Sequence, residues 1–275
     1  MSKKILLAGG DSFTDPRYFS TDEDLSASQR GGWPMWPEIL GKKLDLKVIN
    51  TGDGGRGNDY ITKQILDNIY EYEDQIDTCV VLWSSIDRHD FHDNKKNLIN
   101  IPHDLLSVCG RKKEGHWFVE ENILAPVYAK LMAEDGKNTF WETLLNESFR
   151  NMWLIAEACN KYNIKFIFRQ GIALLDYHMW REIYAEGLIS DDYKIEEVDY
   201  YTLCDTNKYA NMLNKNYKKN ITYPFWEYDT SVVSFTDKFE NLRISKNDRH
   251  PNAEGQKLIS EIMATALDDS SVSYI

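Results

Sequence analysis

The chain has 275 residues, of which 42% are hydrophobic and 28% charged, a composition typical of a globular protein with a sizeable core. Its formal net charge of −12 repels phosphate backbones, so we expect no nucleic-acid partner. The longest apolar run near the start covers residues 5–8, which is too short for a signal peptide or a membrane span. We therefore expect no membrane partner, and a location in the cytoplasm or another place reached without Sec export.

Short apolar runs that end in glycine or polar residues predict buried β-strands. These runs cover residues 4–8, 46–49, 78–83 and 164–168, and a fifth strand is predicted near 231–235. Helical spacing of apolar residues predicts helices between the second and third strands, before the fourth strand and after Pro251. This alternation predicts an α/β protein, a three-layer α/β/α sandwich with a mostly parallel, flavodoxin-like sheet of about five strands.

Two long stretches interrupt the alternation, at about 88–138 and 170–245. The first is rich in polar residues, and the second holds much of the tyrosine and tryptophan. Loops of such length are typical of lids and binding surfaces, while irregular helices packed over the sheet edge are the alternative interpretation. We interpret the chain, 1–275, as a single domain with these two insertions.

Polar residues follow the first predicted strand. Gly9 and Gly10 end it, and Asp11 and Ser12 come next. In an open parallel sheet, ligands bind beyond the carboxyl ends of the strands, where backbone N–H groups at a helix start can hold a negative charge. The Ser12 hydroxyl can therefore project into the crevice. The same pattern also fits a helix N-cap, which is the alternative interpretation.

A histidine stands at the start of the last predicted helix. His250 precedes Pro251, which favours extended backbone for the residue before it. In extended backbone, residues two apart point to the same side, so the Asp248 carboxylate can accept from one ring nitrogen of His250. The other nitrogen is then left as a base. Plain helix capping is the alternative.

A glycine-rich segment follows the second predicted strand. Successive N–H groups in such a turn form an anion-binding nest. Gly52, Gly54 and Gly57 also match the dinucleotide pattern Gly-x-Gly-x-x-Gly in form. No acidic residue stands at the expected distance for binding a ribose, because Asp77 precedes the third strand and Asp87 lies too far along. A flavodoxin-like nucleotide binder remains a further alternative.

Three segments together resemble the SGNH (GDSL-like) hydrolase family. In chain order they are Gly10-Asp11-Ser12, Asn50-x-Gly52-x-x-Gly55 and Asp248-x-His250-Pro251-Asn252. The first is similar to the family block that carries the nucleophile, and the second to a block that supplies an oxyanion-hole N–H. The last is similar to the block that carries the base and its carboxylate partner.

The resemblance implies a serine esterase or O-deacylase that works through an acyl-enzyme and needs no cofactor and no metal. It implies that Ser12 is the nucleophile, that His250 and Asp248 form the base, and that the N–H groups of Ser12 and Gly55 form the oxyanion hole. The expected substrate is a small-molecule or glycan ester, such as an acetylated carbohydrate that stacks on the aromatic residues of the second insertion. The alternative is a non-catalytic or weakly active binding or structural protein on the same fold.

The chain departs from the family pattern at two positions. Asn247 stands where the family commonly has the aspartate, so the role passes to Asp248. Ile86 stands where the third block has an asparagine, and isoleucine has no side-chain donor. One of Ser84, Ser85 and Arg88 is predicted to supply the missing oxyanion contact, and the alternative is that this third contact is absent.

The remaining predictions concern the substrate and metals. Asp11, Asn58 and Arg88 are predicted to contact the substrate. His89 and His92 have a spacing that suits one face of a helix, but without evident further ligands we interpret them as part of a solvated loop. We therefore expect no metal site.

Overall fold

The structure, a computed structural model, describes residues 4–86, 89–92, 98–101, 137–171, 200–221, 231 and 239–268. The strands are β1 (Ile5–Gly9), β2 (Lys47–Asn50), β3 (Ile76–Trp83), β4 (His89–His92), β5 (Leu98–Ile101) and β6 (Lys165–Gln170). The helices are α1 (Ala27–Arg30), α2 (Trp36–Leu44), α3 (Asn58–Tyr72), α4 (Lys137–Lys161), α5 (Tyr200–Thr206), α6 (Lys208–Tyr217) and α7 (Ala253–Asp268). A short 3-10 helix covers Glu240–Leu242.

Four strands form one parallel sheet in the order β2-β1-β3-β6. Each agrees with a predicted strand to within two residues at either end. Parallel neighbours need crossover connections, and here helices supply them, as in flavodoxin-like sheets. The predicted fold class is confirmed. The predicted fifth strand near 231–235 lies outside the described residues, apart from Ser231.

Helices cover both faces of this sheet. On one face Leu7 and Phe168 pack with apolar residues of α3 and α4, and on the other face Leu6 and Ile167 pack with apolar residues of α2 and α7. None of these four side chains is more than 3% exposed. Because successive side chains of a strand point to opposite faces, strands buried on both faces are apolar throughout, which explains the runs in the sequence.

Two elements go beyond the predictions. Helix α2 begins next to Pro37, a residue suited to a first helical turn, and buries Trp36 and Leu40 completely. Strands β4 and β5 form a separate antiparallel pair inside the first predicted insertion. The interpretation of the segment from His89 to His92 as a solvated loop is therefore wrong, since its backbone is a paired β-strand.

The second predicted insertion also contains regular structure. Helices α5 and α6 lie within it, and both pack against α4. The alternative interpretation of that stretch, irregular helices packed over the sheet edge, is matched in its helical content, whereas the packing described is on α4. In the described ranges, every helix is too short or too polar to cross a membrane.

The candidate residues meet at the carboxyl edge of the parallel sheet. Ser12 follows β1, the glycine-rich segment 51–57 follows β2, and Ser84 follows β3. His250 reaches the same edge from the loop before α7, which packs against α2 on one face of the sheet. Parallel strands end at one edge, so loops that are distant in the chain are brought together there.

Candidate active site

Three side chains form a hydrogen-bonded chain at this edge. Ser12 Oγ lies 2.7 Å from His250 Nε2, and His250 Nδ1 lies 2.6 Å from Asp248 Oδ1. The hydroxyl and the imidazole, 238 positions apart in sequence, are therefore neighbours, as predicted. A serine, an imidazole and a carboxylate in this order are the groups that activate a hydroxyl for nucleophilic attack.

The turn that presents Ser12 is held by Asp11. Its Oδ1 accepts from the Phe13 amide at 3.1 Å, and its carbonyl accepts from Thr14 and Asp15 at 2.9 and 3.0 Å. Glycine is required at position 10, because a Cβ there would lie 2.2 Å from Thr14 Oγ1. The chain can therefore leave β1 and turn at once only with this residue pattern.

Local hydrogen bonds also hold Asp248 and His250 in position. Asp248 Oδ1 accepts from the His250 amide at 3.0 Å, which fixes the carboxylate beside the ring. Asn252 then caps α7 by accepting from the amides of Glu254 and Gly255. Asn247, which occupies the family's usual aspartate position, is exposed, so Asp248 is the carboxylate that meets the imidazole.

Two further hydroxyl groups surround Asp248. Tyr18 donates to Asp248 Oδ2 at 2.9 Å, and the buried Ser20 hydroxyl also donates to this carboxylate. Burial raises the pKa of Asp248, but the hydrogen bonds from His250 and Ser20 lower it by more, so the net pKa lies well below its ordinary value. Asp248 is therefore ionised throughout the neutral range. Neither Tyr18 nor Ser20 belongs to a recognisable motif, and the sequence analysis missed both.

Gln256 ties the nucleophile turn to the helices on its side of the sheet. Its Oε1 accepts from the Trp36 amide at 2.9 Å, and its Nε2 donates to the Phe13 carbonyl at 3.4 Å. The Trp36 indole donates to Thr14 Oγ1 at 3.2 Å. Gln256 is 1% exposed and lies in the second turn of α7, so one buried amide joins the segment after His250 to the segment after Ser12.

The glycine-rich segment lies directly beside the Ser12 turn. A Cβ on Gly52 would lie 2.6–2.8 Å from backbone atoms of Thr14 and Asp15, so the two segments touch where only glycine fits. A Cβ on Gly54 would lie 3.9 Å from Ser12 Cβ. Gly55 has a positive φ of 75°, which an L side chain rarely adopts. The predicted oxyanion segment is therefore next to the predicted nucleophile.

Ser84, which follows β3, makes contacts other than those predicted. The Ser84 hydroxyl donates to Asp11 Oδ2 at 2.9 Å, and its amide donates to Asn58 Oδ1 at 2.9 Å. The hydroxyl hydrogen is thus used inside the protein, and the prediction that Ser84 supplies the missing oxyanion donor does not hold. Ser85 is 2% exposed, and its part stays a prediction. Arg88 lies outside the described residues.

Asp11 and Asn58 hold the site together. Asp11 is completely buried and accepts from Phe13 and Ser84. Asn58 is 4% exposed, and its Nδ2 donates to the Ser84 carbonyl and to Ser148 Oγ. Since these polar atoms are spent on the protein, both residues position the strand ends, which corrects the prediction that they contact the substrate.

Among the residues that the structure describes, no three His, Cys, Asp or Glu side chains converge on one point.

Comparison with known proteins gives similarity in fold. No protein-family model and no curated protein matches the chain. Among similar solved structures, one is described as a lipolytic protein of the G-D-S-L family from Desulfitobacterium hafniense, with 13% identity and a TM-score of 0.46 over 96% of this chain and 100% of its own. An acetylxylan esterase from Geobacillus stearothermophilus has 12% identity and a TM-score of 0.47 over 100% of this chain and 98% of its own.

A psychrotrophic esterase, EstA from Pseudoalteromonas sp., has 10% identity and a TM-score of 0.47, with 97% of each chain covered. Likeness at these values concerns the path of the chain alone, so the chemistry has to follow from the residues themselves.

Proposed function

We propose that this protein is a serine esterase or O-deacylase. The observation that carries the proposal is the hydrogen-bonded chain from Ser12 through His250 to Asp248 at the carboxyl edge of the sheet. The half-buried, ionised carboxylate binds the Nδ1 side of the imidazole and leaves Nε2 facing the serine hydroxyl. A base in this state removes the hydroxyl proton as the serine attacks.

The reaction runs through an acyl-enzyme. His250 Nε2 takes the proton of Ser12 as Oγ bonds to the ester carbonyl carbon, and the carbonyl electron pair moves onto oxygen. The oxyanion returns its pair, the alcohol leaves, and the imidazolium gives the alcohol its proton. A water molecule then gives its proton to Nε2 and attacks the acyl carbon, and Ser12 leaves with that proton. Asp248 stays ionised and stabilises the imidazolium in both halves.

Backbone amides stabilise the oxyanion in this proposal. The Ser12 amide lies at the turn after β1, and the Gly55 amide lies in the adjoining glycine segment. Losing one oxyanion donor costs about 10²- to 10³-fold in turnover. Because Ser84 is used elsewhere, a third contact would come from Ser85 or Arg88, and a site with two donors would be correspondingly slower.

The substrate class is proposed from size and composition. Ser12 is 8% exposed, so little of the nucleophile is open to a bulky ester. A short acyl group such as acetyl fits this best. Tyrosine and tryptophan are frequent in residues 177–226, and such rings stack on sugar faces, which favours an acetylated carbohydrate.

The test uses p-nitrophenyl acetate and a fluorophosphonate probe. Wild type should hydrolyse the ester and be labelled on Ser12, whereas Ser12→Ala should lose both, with turnover down by several orders of magnitude. The control is Ser28→Ala, an exposed serine that should keep wild-type rates. Equal turnover in wild type and Ser12→Ala would remove the serine from the mechanism. Absence of turnover and of labelling in wild type would favour a binding protein on this fold.

A further inference from the structure

Tyr18 contacts both His250 and Asp248. Its ring stacks on the His250 imidazole with centroids 4.0 Å apart and planes inclined by 26°. Its hydroxyl lies 2.9 Å from Asp248 Oδ2 and 2.7 Å from His250 Nδ1. Among the described residues, the other ring against the imidazole is Phe13, at 5.0 Å. The imidazole is thus held by a ring that also binds its carboxylate partner.

The hydrogens at this point can be assigned by counting donors. Nε2 accepts from Ser12 in the state that reacts, so the neutral imidazole carries its hydrogen on Nδ1. That hydrogen is donated to Asp248 Oδ1 at 2.6 Å. The single phenol hydrogen of Tyr18 then goes to Asp248 Oδ2, because Nδ1 has no lone pair to accept it. Both carboxylate oxygens are therefore bound, and the carboxylate cannot rotate away from the ring.

The same contacts matter when the imidazole becomes charged. Positive charge on the imidazolium develops against the face of the Tyr18 ring, where the electron density of the ring attracts cations. The phenol oxygen lies beside the Nδ1 hydrogen and can accept a share of it. Burial, and then the charge of Asp248, raises the pKa of Tyr18 well above its ordinary value, so the phenol stays protonated and remains a donor.

The backbone around Tyr18 keeps the ring in place. The Tyr18 amide donates to the Asp15 carbonyl at 3.1 Å. The following residue, Phe19, forms an antiparallel β-bridge with Gly31, and the Ser20 amide donates to the Arg30 carbonyl at 2.9 Å. The segment that carries Tyr18 is therefore fixed on both sides.

We propose that Tyr18 is a positioning residue of the hydrolytic reaction: its hydroxyl holds Asp248, its ring holds His250, and together they select the imidazole tautomer that leaves Nε2 as the base. The inference rests on the proposed function for its kinetic part. Its structural part concerns His250 and Asp248 alone.

The experiment compares Tyr18→Phe, which keeps the ring, with Tyr18→Leu, which removes it. The matched control is Tyr217→Phe. Tyr217 lies in α6, outside the site, and its hydroxyl donates to the carboxylate of Glu157. We measure kcat and KM for p-nitrophenyl acetate across pH, and nitrogen NMR spectra of the imidazole. The spectra report the tautomer whether or not the ester is turned over.

Tyr18→Phe should lower kcat by about 10- to 100-fold with KM unchanged, because a hydrogen bond to a charged group is lost. The acid limb of its pH profile should move, because the lost hydroxyl lies against both Asp248 Oδ2 and His250 Nδ1. Tyr18→Leu should lower kcat further and place the acid limb at lower pH than in Tyr18→Phe, because the ring no longer stabilises the cation. Tyr217→Phe should match wild type in kcat, in KM, in the pH profile and in the imidazole spectrum.

Wild-type kcat, an unmoved acid limb and an unchanged imidazole spectrum in Tyr18→Phe would overturn the proposal. If wild type shows neither turnover nor fluorophosphonate labelling, the esterase proposal fails, and the spectra decide the role of Tyr18. A mainly Nδ1-protonated imidazole in wild type that becomes a mixture of tautomers in Tyr18→Phe supports the positioning role. The same spectrum in both proteins rejects it.

Discussion

Asp15 Oδ2 accepts a hydrogen bond from the Gly54 amide at 3.0 Å and so joins the nucleophile turn to the glycine segment. The other oxygen of this carboxylate accepts from the Arg17 amide at 2.8 Å. Asp15 is 7% exposed, which places the link inside the protein. Together with the hydrogen bond from Asn50 Nδ2 to the Thr14 carbonyl, this buried side chain sets the distance between the serine and the amides of the glycine segment.

Replacing Asp15 with alanine should therefore lower kcat for p-nitrophenyl acetate by about 10- to 100-fold, the cost of a misplacement of roughly one ångström. KM should change little, because the link acts on the oxyanion rather than on the bound ester. The control is Asp24→Ala, which removes an exposed carboxylate of the same type. If Asp15→Ala retained wild-type kcat, the glycine segment would not need this hydrogen bond for its position.

Two glycines of one segment should differ sharply in their tolerance of alanine. At Gly52 a Cβ would lie 2.6 Å from the Thr14 carbonyl carbon, and backbone cannot give way cheaply. At Gly54 the nearest atom is Asp15 Oδ2 at 3.5 Å, an ordinary contact. Gly52→Ala should lower the free energy of unfolding by about 1–3 kcal/mol, and Gly54→Ala by no more than about 0.5 kcal/mol.

Urea unfolding of the two variants and the wild type measures this difference. Since the substitutions are chemically identical and two positions apart, effects on the unfolded chain largely cancel. Equal midpoints for the two variants would mean that the segment relaxes away from Thr14 at little cost.

The stability of the protein should depend on Asp248 in acid. Its pKa in the folded state lies below the ordinary value of 3.8, so the unfolded chain binds the proton more readily. The stabilisation by this carboxylate is then complete above about pH 5 and is lost as the pH falls through 3.8 and below. Asp248→Asn cannot titrate and should lack this dependence.

The free energy of unfolding of wild type and Asp248→Asn, measured from pH 7 down to about pH 3, tests this expectation. The gap between them should narrow as the pH falls from about 5 towards 3. Asp24→Asn, at an exposed carboxyl, serves as the comparison. A gap that stayed constant down to the lowest pH would show that the carboxylate gains nothing from its folded surroundings.

The sequence predicted the parts of the fold that follow from periodicity. Apolar runs such as 78–83 identified the strands, because both faces of the sheet are covered and no polar alternation is needed. Helix α2 was not predicted because its nine residues are too few to show a clear helical repeat, and the β4–β5 pair was not predicted because it lies in a polar stretch. The strand-end rule placed Ser12 at the carboxyl edge of the sheet, whereas its meeting with His250, which does not follow a strand, was expected from the resemblance to the SGNH (GDSL-like) family.

The finer parts of the site could not be predicted in this way. Tyr18 reaches Asp248 across 230 positions, and no spacing in the sequence signals such a contact. Ser84 was placed correctly at a strand end, but its position in the chain does not say which acceptor takes its hydrogen. Packing decides between a donor to substrate and a donor to Asp11, and packing is set by residues from several distant segments.

The buried amide of Gln256 makes the assembly of the candidate site depend on the docking of α7. Because it connects Phe13 and Trp36 with α7, Ser12 meets His250 only when this helix has packed beside α2. Under the proposed function, a chain whose last described helix has not docked presents an unactivated hydroxyl, and hydrolytic capability arrives with that docking.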